Sequence, residues 1–577
     1  MSRFTQALVG AAGSGKGIIT GEPRAAVRSP WEQVHATARR GAAVLADRGL
    51  RPGDAVAILA GMPADVAPAA QAVWLAGGSV TMLHQPTART DLARYAADTL
   101  AVLGVIGARI VIVGDPFVEV AGMLASSGFT AVTVDELRAG EREADPLDAG
   151  EESAALLQLT SGSTAAPKAV RITHRNLWAN IESMCRAADL NTDRDVMVSW
   201  LPLFHDMGMV GFLTLPMCRG IELVKVTPAD FLGSPVLWPE LISKYRGTVT
   251  AAPNFAYALT ARVLGRAVTR PQAGRAEELD LSSLRFALNG AEPIDVPAVR
   301  AFLAAGAPFG LADTAVVPAY GMAEATLAIS FHPWGTPLAV DTVDAVALEE
   351  RRRATPIGDA RSGSSGDANG DEGSGRAGAG AVREFPLLGP PLDGIEVAVR
   401  GEDGSLLKDR EVGVLLLRGE AITERYLTVD GPVPTRGADG WLDTGDLGYL
   451  ADGNVVVCGR VKDVIIMGGR NIYPTDIERA AQSVPGVRAG NAAAVRIDAG
   501  ARRETFAVVV ESRVADDPAE SARIADEVRS VVTSAMGVRP AAVTVVPAGA
   551  LPKTPSGKIR RAAAAGLIAR PDPDPLH

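Results

Sequence analysis

The chain has 577 residues, too many for one hydrophobic core, so two to four domains are expected. Hydrophobic residues make up 47% of it, which excludes a disordered chain, and the net charge of −10 excludes general nucleic-acid binding, because no basic surplus exists to neutralise phosphates. The three cysteines, Cys185, Cys218 and Cys458, have neither zinc-ligand nor disulfide spacing, which points to a reducing cytoplasmic setting.

Near the N-terminus ALVGAAG is too short and too Gly-rich for a signal segment, and no later run of about 18 apolar residues predicts an integral membrane span. Residues 10–17, GAAGSGKG, approach a phosphate-loop pattern but lack the final hydroxyl residue and a preceding strand, so they read as a Gly-rich turn. WEQVHATARRGAAVLADRGL (31–50) has helical apolar spacing, as do VAPAAQAVWLAG (66–77) and DLARYAADTLAVLG. DAVAILA (54–60), GSVTML (78–83) and RIVIVG (109–114) read as buried strands between them. This alternation predicts a largely parallel sheet covered by helices.

LLQL is a candidate strand feeding QLTSGSTAAPKAV (158–170), before the helical RNLWANIESMCRAA. Thr160, Ser161, Ser163 and Thr164 offer hydroxyls, Gly162 allows a tight turn and Lys168 adds charge, so the stretch suits either a phosphate cradle or a polar turn. Residues 335–388 lie between two motif-bearing regions, and their centre, 358–381, is Gly/Ser/Asp-rich and reads as a flexible loop. IEVAVRGEDGSLL and VGVLLLRG are β-like; a last unit begins near 461, and the tail 568–577 is Pro/Asp-rich. Lysine is scarce, 8 of the 57 basic residues, yet Lys168, Lys462, Lys553 and Lys558 all fall inside motifs.

Those motifs come in one order: QLTSGSTAAPKAV (158–170), SWLPLFHDMGMVGF (199–212), NGAEPI (289–294), PAYGMAEATL (318–327), GWLDTGDLGYL (440–450), GRVKDVIIMGGRNIYPTDIE (459–478) and LPKTPSGKIRR (551–561). The series resembles the adenylate-forming superfamily of acyl-CoA synthetases, peptide-synthetase adenylation domains and luciferases, over nearly the whole chain. LPLFHDMGM, GRNIYPTDIE and the insertion after YGMAEATL are most similar to the fatty acyl-AMP ligases. TAAPNFAY (250–257) and VVVCGR also resemble ligases that prepare lipid side chains of mycobactin-type siderophores.

The resemblance implies an α/β fold. Residues 1–460 would form a large domain of helix-covered mixed sheets with a distorted β-barrel-like subdomain, and 461–567 a small mobile α+β domain. It implies ATP as substrate, with β- and γ-phosphates on Thr160, Ser161, Gly162, Ser163, Thr164 and Lys168. It assigns Mg²⁺ to Glu324 and Thr164. Gly290, Ala291, Glu292, Tyr320, Gly321, Met322 and Ala323 would surround adenine, and Asp446 and Arg460 the ribose. Lys558 is the candidate catalytic cation at the carboxylate and α-phosphate, and Lys462 the hinge. His205 is a second catalytic candidate: it either meets the carboxylate at the mouth of the acyl pocket or packs as a structural histidine. Residues 215–218, 250–259, Met207 and Met209 are candidate walls of that pocket or ordinary core.

The expected reaction is attack of a fatty acid carboxylate on ATP to give acyl-AMP, then transfer to the phosphopantetheine thiol of an acyl carrier protein. An acyl-CoA synthetase is the nearest alternative, since a flexible 358–381 would block no motion needed for CoA. An amino-acid-activating domain would need an acidic pocket residue, for which Asp206 is the one candidate. A non-catalytic nucleotide- or lipid-binding relative is the rival from another class. Relatives usually carry glycine where Ala165 and Ala169 stand, so negative φ or strain is expected at both positions.

Overall fold

The helix predicted at 31–50 forms as Trp31–Asp47, because Trp31, Val34, Ala38, Ala42 and Leu45 recur at helical spacing and bury one face. The strands predicted beside it form as Ala55–Leu59, Ser79–Met82 and Ile110–Val113, all parallel neighbours. Ile110–Val113 is four β-branched residues buried on both faces, the pattern of a helix-covered parallel sheet. In this computed structural model residues 1–86, 90–160, 167–269, 279–357, 382–467, 470–497, 504–553 and 558–568 are described.

The chain divides into two compact units. The first comprises Met1–Leu338, Leu388–Glu396 and Leu417–Asp443 and holds two eight-stranded sheets. In one, Ala154–Thr160 returns antiparallel as Lys168–Thr173, and Arg425–Thr428 adds antiparallel to its outer side. In the other, Val196–Ser199, Glu222–Lys225, Val249–Ala252, Phe286–Asn289 and Val316–Gly321 are parallel neighbours. Parallel register brings their carboxyl ends to one edge, and loops beyond such ends are where α/β sheets hold ligands. Four predicted motifs leave from that edge: 200–206, 253–255, 290–292 and 320–324.

The near-phosphate-loop at 10–17 is a passage from the helix Arg3–Ala11, through a turn with Gly15 at φ +73°, to the strand Gly17–Thr20. Helix before strand is the reverse of a phosphate loop, as expected of a Gly-rich turn.

The second unit comprises Ala339–Leu387, Val397–Leu416 and Thr444–His577. Its last part is a three-stranded sheet, Val487–Ile497, Thr505–Ser512 and Ala542–Pro547. The helices Pro474–Gln482 and Pro518–Met536 pack on that sheet through Ile477, Ile524, Val528, Val532, Phe506 and Val508. The inserted segment contributes the antiparallel pair Val340–Asp344 and Val382–Pro386 and the helix Ala345–Arg351. The predicted flexible loop 358–381 lies outside the described residues. No helix among the described residues is long and apolar enough to cross a membrane.

Candidate active site

The phosphate-loop candidate joins two strands of a hairpin, with Thr160 opposite Lys168. Ser161, Gly162, Ser163, Thr164 and Ala165 lie outside the described residues. Ala169 is inside the strand Lys168–Thr173, fully buried and paired with Leu427. Strand geometry needs no glycine there, so the strain expected at Ala169 does not arise. Thr160 Oγ1 is buried, with no hydrogen-bond partner among the described residues. An orphaned hydroxyl at the root of the loop fits an anion arriving there.

Lys168 Nζ stands 4.0 Å from the centroid of the Tyr426 ring and 4.0 Å from Glu324 Oε1. The Tyr426 hydroxyl donates to the same Oε1 at 2.8 Å. Burial and the neighbouring carboxylate push the Tyr426 hydroxyl well above its ordinary range, so it remains a donor. Glu324 is only 8% exposed, although a glutamate in a short sequence motif could equally have stood on a helix surface. Among the described residues no cluster of three or more His, Cys, Asp or Glu could hold a metal alone. One carboxylate is nevertheless a suitable protein ligand for Mg²⁺, which keeps waters and takes its other oxygens from phosphates.

Glu324 sits on a short 3₁₀ turn, Ala323–Ala325, closed by strained backbone. Thr326 has φ +69° and ψ −54°, and Leu327 N donates to Ala325 O at 2.8 Å. This is a γ-turn of the rare positive-φ kind, held at a β-branched residue. Such strain costs about 1–3 kcal/mol and persists only where surroundings fix it. Here Thr326 Oγ1 donates to Ala421 O at 2.8 Å, Thr423 N to Glu324 O at 2.8 Å and Met322 N to Leu327 O at 2.8 Å. Gly321 is required: a Cβ there would lie 2.1 Å from Leu327 O.

Tyr320, half-buried, is the penultimate residue of the strand Val316–Gly321 beside this turn, where a bulge falls between it and Gly321. Gly290 packs against the same strand, since a Cβ on it would be 3.3 Å from Ala319 O. Ala291 takes φ +69°, a further strained position. The Glu292 carboxylate accepts from Phe255 N at 2.7 Å, so it anchors the start of the helix Asn254–Thr269. Adjacent parallel strands thus bring Gly290, Ala291, Tyr320, Gly321, Met322 and Ala323 together.

His205 Nδ1 lies 2.6 Å from Asp206 Oδ1, and Met207 N donates to that oxygen at 2.8 Å. Asp206 therefore caps the helical turn Met207–Thr214, which has π hydrogen bonding. The His84 imidazole packs on Phe204, and burial with His205 nearby lowers its basicity. Met207 and Met209 are buried, as are Leu215, Met217 and Cys218. Residues 250–259 enter an aromatic cluster in which Trp238 meets Tyr257 and Trp200 stacks on Phe231 at 4.1 Å. Beside this cluster a space of about 180 Å³ lies between Val198, Trp200, Phe231 and Trp238.

In the second unit Asp446 and Arg460 are register partners across a hairpin, with Arg460 Nε 3.0 Å from Asp446 Oδ1. Asp446 N also donates to Thr444 Oγ1 at 3.0 Å. Lys462 is exposed on the turn Val461–Asp463 directly after Arg460. Arg561 reaches back to that turn: its Nη1 is 2.9 Å from Asp463 Oδ2, while its Nε bonds Glu478 at 2.7 Å. Burial pushes the Glu478 carboxyl up and Arg561 opposes it. Lys553 donates to Asn491 Oδ1 at 2.8 Å, and its strand bridge to Ile559 leaves Lys558 part-buried on the returning side.

Residues 24–427 match the AMP-binding enzyme family, well over half of the chain. The chain belongs to the AMP-binding enzyme family. A Mycobacterium tuberculosis protein with the provisional name ligase Rv1013 is 52% identical over 570 residues, covering 98% of this chain and 100% of its own. The medium-chain-fatty-acid–[acyl-carrier-protein] ligase JamA of Moorena producens is 34% identical over 427 residues, 72% of this chain and 68% of JamA. A solved structure from the fatty acyl-adenylate ligases of E. coli and L. pneumophila superposes with TM-score 0.86 at 30% identity, covering 98% of this chain and 97% of its own. This AMP-binding enzyme accordingly has the adenylate-forming fold that its motifs implied, and it is a ligase.

Three groups have structural roles that the motifs did not reveal. Tyr426 lies 258 positions after Lys168, and only antiparallel pairing of its strand with Lys168–Thr173 brings it to Glu324. Thr326 was inside YGMAEAT, but nothing in a threonine announces positive φ. Lys225 is buried among apolar strand residues, and a lone lysine at a strand end ordinarily reads as solvated.

Proposed function

We propose that the chain activates a medium- or long-chain fatty acid and loads it onto a carrier protein. The carboxylate oxygen attacks the α-phosphorus of ATP; the bond to the bridging oxygen breaks, and pyrophosphate leaves as acyl-AMP forms. The phosphopantetheine thiol of an acyl carrier protein then attacks the acyl carbon, giving a thioester, AMP and a proton. The observation that carries this reading is Glu324, buried, held by Tyr426 and beside Lys168 at the foot of the phosphate hairpin. JamA, by its name, makes that same transfer to an acyl carrier protein.

Both reactants are anionic, so the protein's contribution is mainly positioning and neutralisation. Lys168, Thr160 and residues 161–164 are the proposed phosphate holders, and Tyr320 and Gly290–Glu292 the adenine site. Glu324 would hold Mg²⁺, which when bound neutralises charge on the phosphate oxygens. Asp446 would accept from ribose hydroxyls, with Arg460 fixing its orientation. Lys558 would place a cation where charge builds between carboxylate and α-phosphate. His205 would sit at the carboxylate end of the acyl pocket, and Lys462 would be the hinge of a mobile C-terminal part, in a cytoplasmic enzyme.

A carrier protein is favoured over CoA as acceptor because the insertion is folded at both ends. Its Glu349 is buried, accepts from Arg470 Nε at 3.0 Å and Nη2 at 2.6 Å, and meets Arg383 at 3.3 Å. Charge-assisted bonds of this kind tie residues 345–351 to residues 470–476, which would resist a rotation needed for CoA. Purified enzyme should exchange pyrophosphate with ATP in the presence of fatty acids, and holo-carrier protein should outcompete CoA as acceptor. Lys558→Ala should lower that exchange about 10²–10³-fold; a near-normal rate would remove Lys558 from its role. Absence of exchange with every fatty acid would sink the reading.

A further inference from the structure

Lys225 ends the strand Glu222–Lys225 and is 1% exposed. Its Nζ donates to Ser199 Oγ at 3.1 Å and to the Leu201 carbonyl. It has no ion pair among the described residues, and burial alone pushes the amine down to about 7. An unpaired buried amine is costly, and an apolar side chain of similar length would serve a sheet interior better. Something other than stability must account for it.

The two bonds converge on one turn. Ser199 is the register partner of Lys225, and its Oγ also accepts from Leu201 N at 3.1 Å. Beyond Leu201 the chain has no regular structure until Asp206. Pro202 O accepts from His205 N at 3.3 Å and seats Gly208, where a Cβ would be only 2.1 Å from that oxygen. From the phosphate hairpin, Gln158 Nε2 holds the Phe204 carbonyl at 3.0 Å. The stretch leading to His205 and Asp206 is therefore suspended from two buried polar side chains, Lys225 and Gln158.

We infer that Lys225 is a positioning residue for acyl activation: its buried amine fixes the Ser199–Leu201 turn, and through it His205 and Asp206. The inference rests on the fatty-acid-activating reading above. It trades stability for placement, so the two properties separate on substitution.

The test uses full-length wild type, Lys225→Met, Lys225→Gln and Ser199→Ala, with fatty-acid-dependent pyrophosphate exchange and thermal unfolding measured on each. Lys225→Met should unfold at a higher temperature than wild type while kcat falls about 10- to 100-fold and the ATP KM moves less than about threefold. Lys225→Gln keeps an N–H donor for the Leu201 carbonyl and should recover part of kcat. Ser199→Ala removes one of the two acceptors and should lower kcat less than Lys225→Met. Wild-type kinetics in Lys225→Met would overturn the inference. So would parallel loss of stability and activity with no recovery in Lys225→Gln, which marks a merely structural lysine. If Lys225→Met does not fold, Lys225→Gln and Ser199→Ala decide: unchanged kcat in both overturns it. Wild type that shows no exchange sinks the functional reading instead.

Discussion

Glu324 and Asp446 are both buried carboxylates with a cation nearby, and they are built in opposite ways. Asp446 is placed by local register: it faces Arg460 across a hairpin whose strands are joined by two residues, and the pair bonds at 3.0 Å. Glu324 is placed by long-range contacts on strained backbone, with Tyr426, Thr423 and Ala421 holding the turn from about a hundred residues away. Its cation, Lys168, stands back at 4.0 Å, and its firm bond is to a neutral hydroxyl. A carboxylate already matched to a guanidinium is an orienting acceptor. One held by a hydroxyl keeps its charge available for an incoming cation.

The largest effect should come from breaking the strained turn itself. Gly321→Ala puts a Cβ 2.1 Å from Leu327 O, so the bulge between Tyr320 and the Glu324 turn must open. Pyrophosphate exchange should fall by about 10²-fold or more, as a displacement near 1 Å can cause. Wild-type exchange in this variant would mean the turn does not position the nucleotide.

Glu324→Gln separates charge from structure. The amide oxygen can still accept from Tyr426, so the fold should hold, while the position proposed to hold Mg²⁺ loses its charge. The rate should drop about 10²-fold, with more Mg²⁺ needed for half-maximal exchange. An unchanged Mg²⁺ requirement would argue against Glu324 as the metal ligand. Asp446→Asn should be milder, because the hairpin register survives and an amide oxygen can still accept from the ribose hydroxyls proposed to bind there. We expect the ATP KM to rise about tenfold with kcat nearly preserved, the loss of one charge-assisted bond. If kcat fell instead, Asp446 would be acting in the chemical step, and the contrast with Glu324 would be lost.

Much of this contrast was legible in the sequence, and the reason lies in range. The buried parallel strands 54–60, 78–83 and 109–114 were readable because four to seven apolar residues between helical periods leave few other structures. The Asp446–Arg460 pair came from two adjacent motifs whose geometry a hairpin fixes. Tyr426 and the orienting contacts of Thr326 were not readable, since pairing of Arg425–Thr428 with Lys168–Thr173 depends on tertiary assembly. The burial of Lys225 was unreadable for the same reason: it is set by the strands on either side, Val196–Ser199 and Gly17–Thr20.

The smallest expected effect concerns Ala169. If the position belonged to the phosphate loop, glycine there would matter to ATP. In the structure it is a strand residue whose Cβ lies in the apolar cluster of Leu157, Leu159 and Val111. Glycine costs a strand about 0.5–1 kcal/mol through backbone freedom, and deleting the buried methyl adds a similar amount. Ala169→Gly should therefore lower the unfolding midpoint slightly and leave the ATP KM as it was. A changed KM with an unchanged midpoint would move Ala169 from the sheet core into the nucleotide site. The foot of the hairpin at Thr160 and Lys168 would then have to be as adaptable as the Asp446 hairpin is fixed.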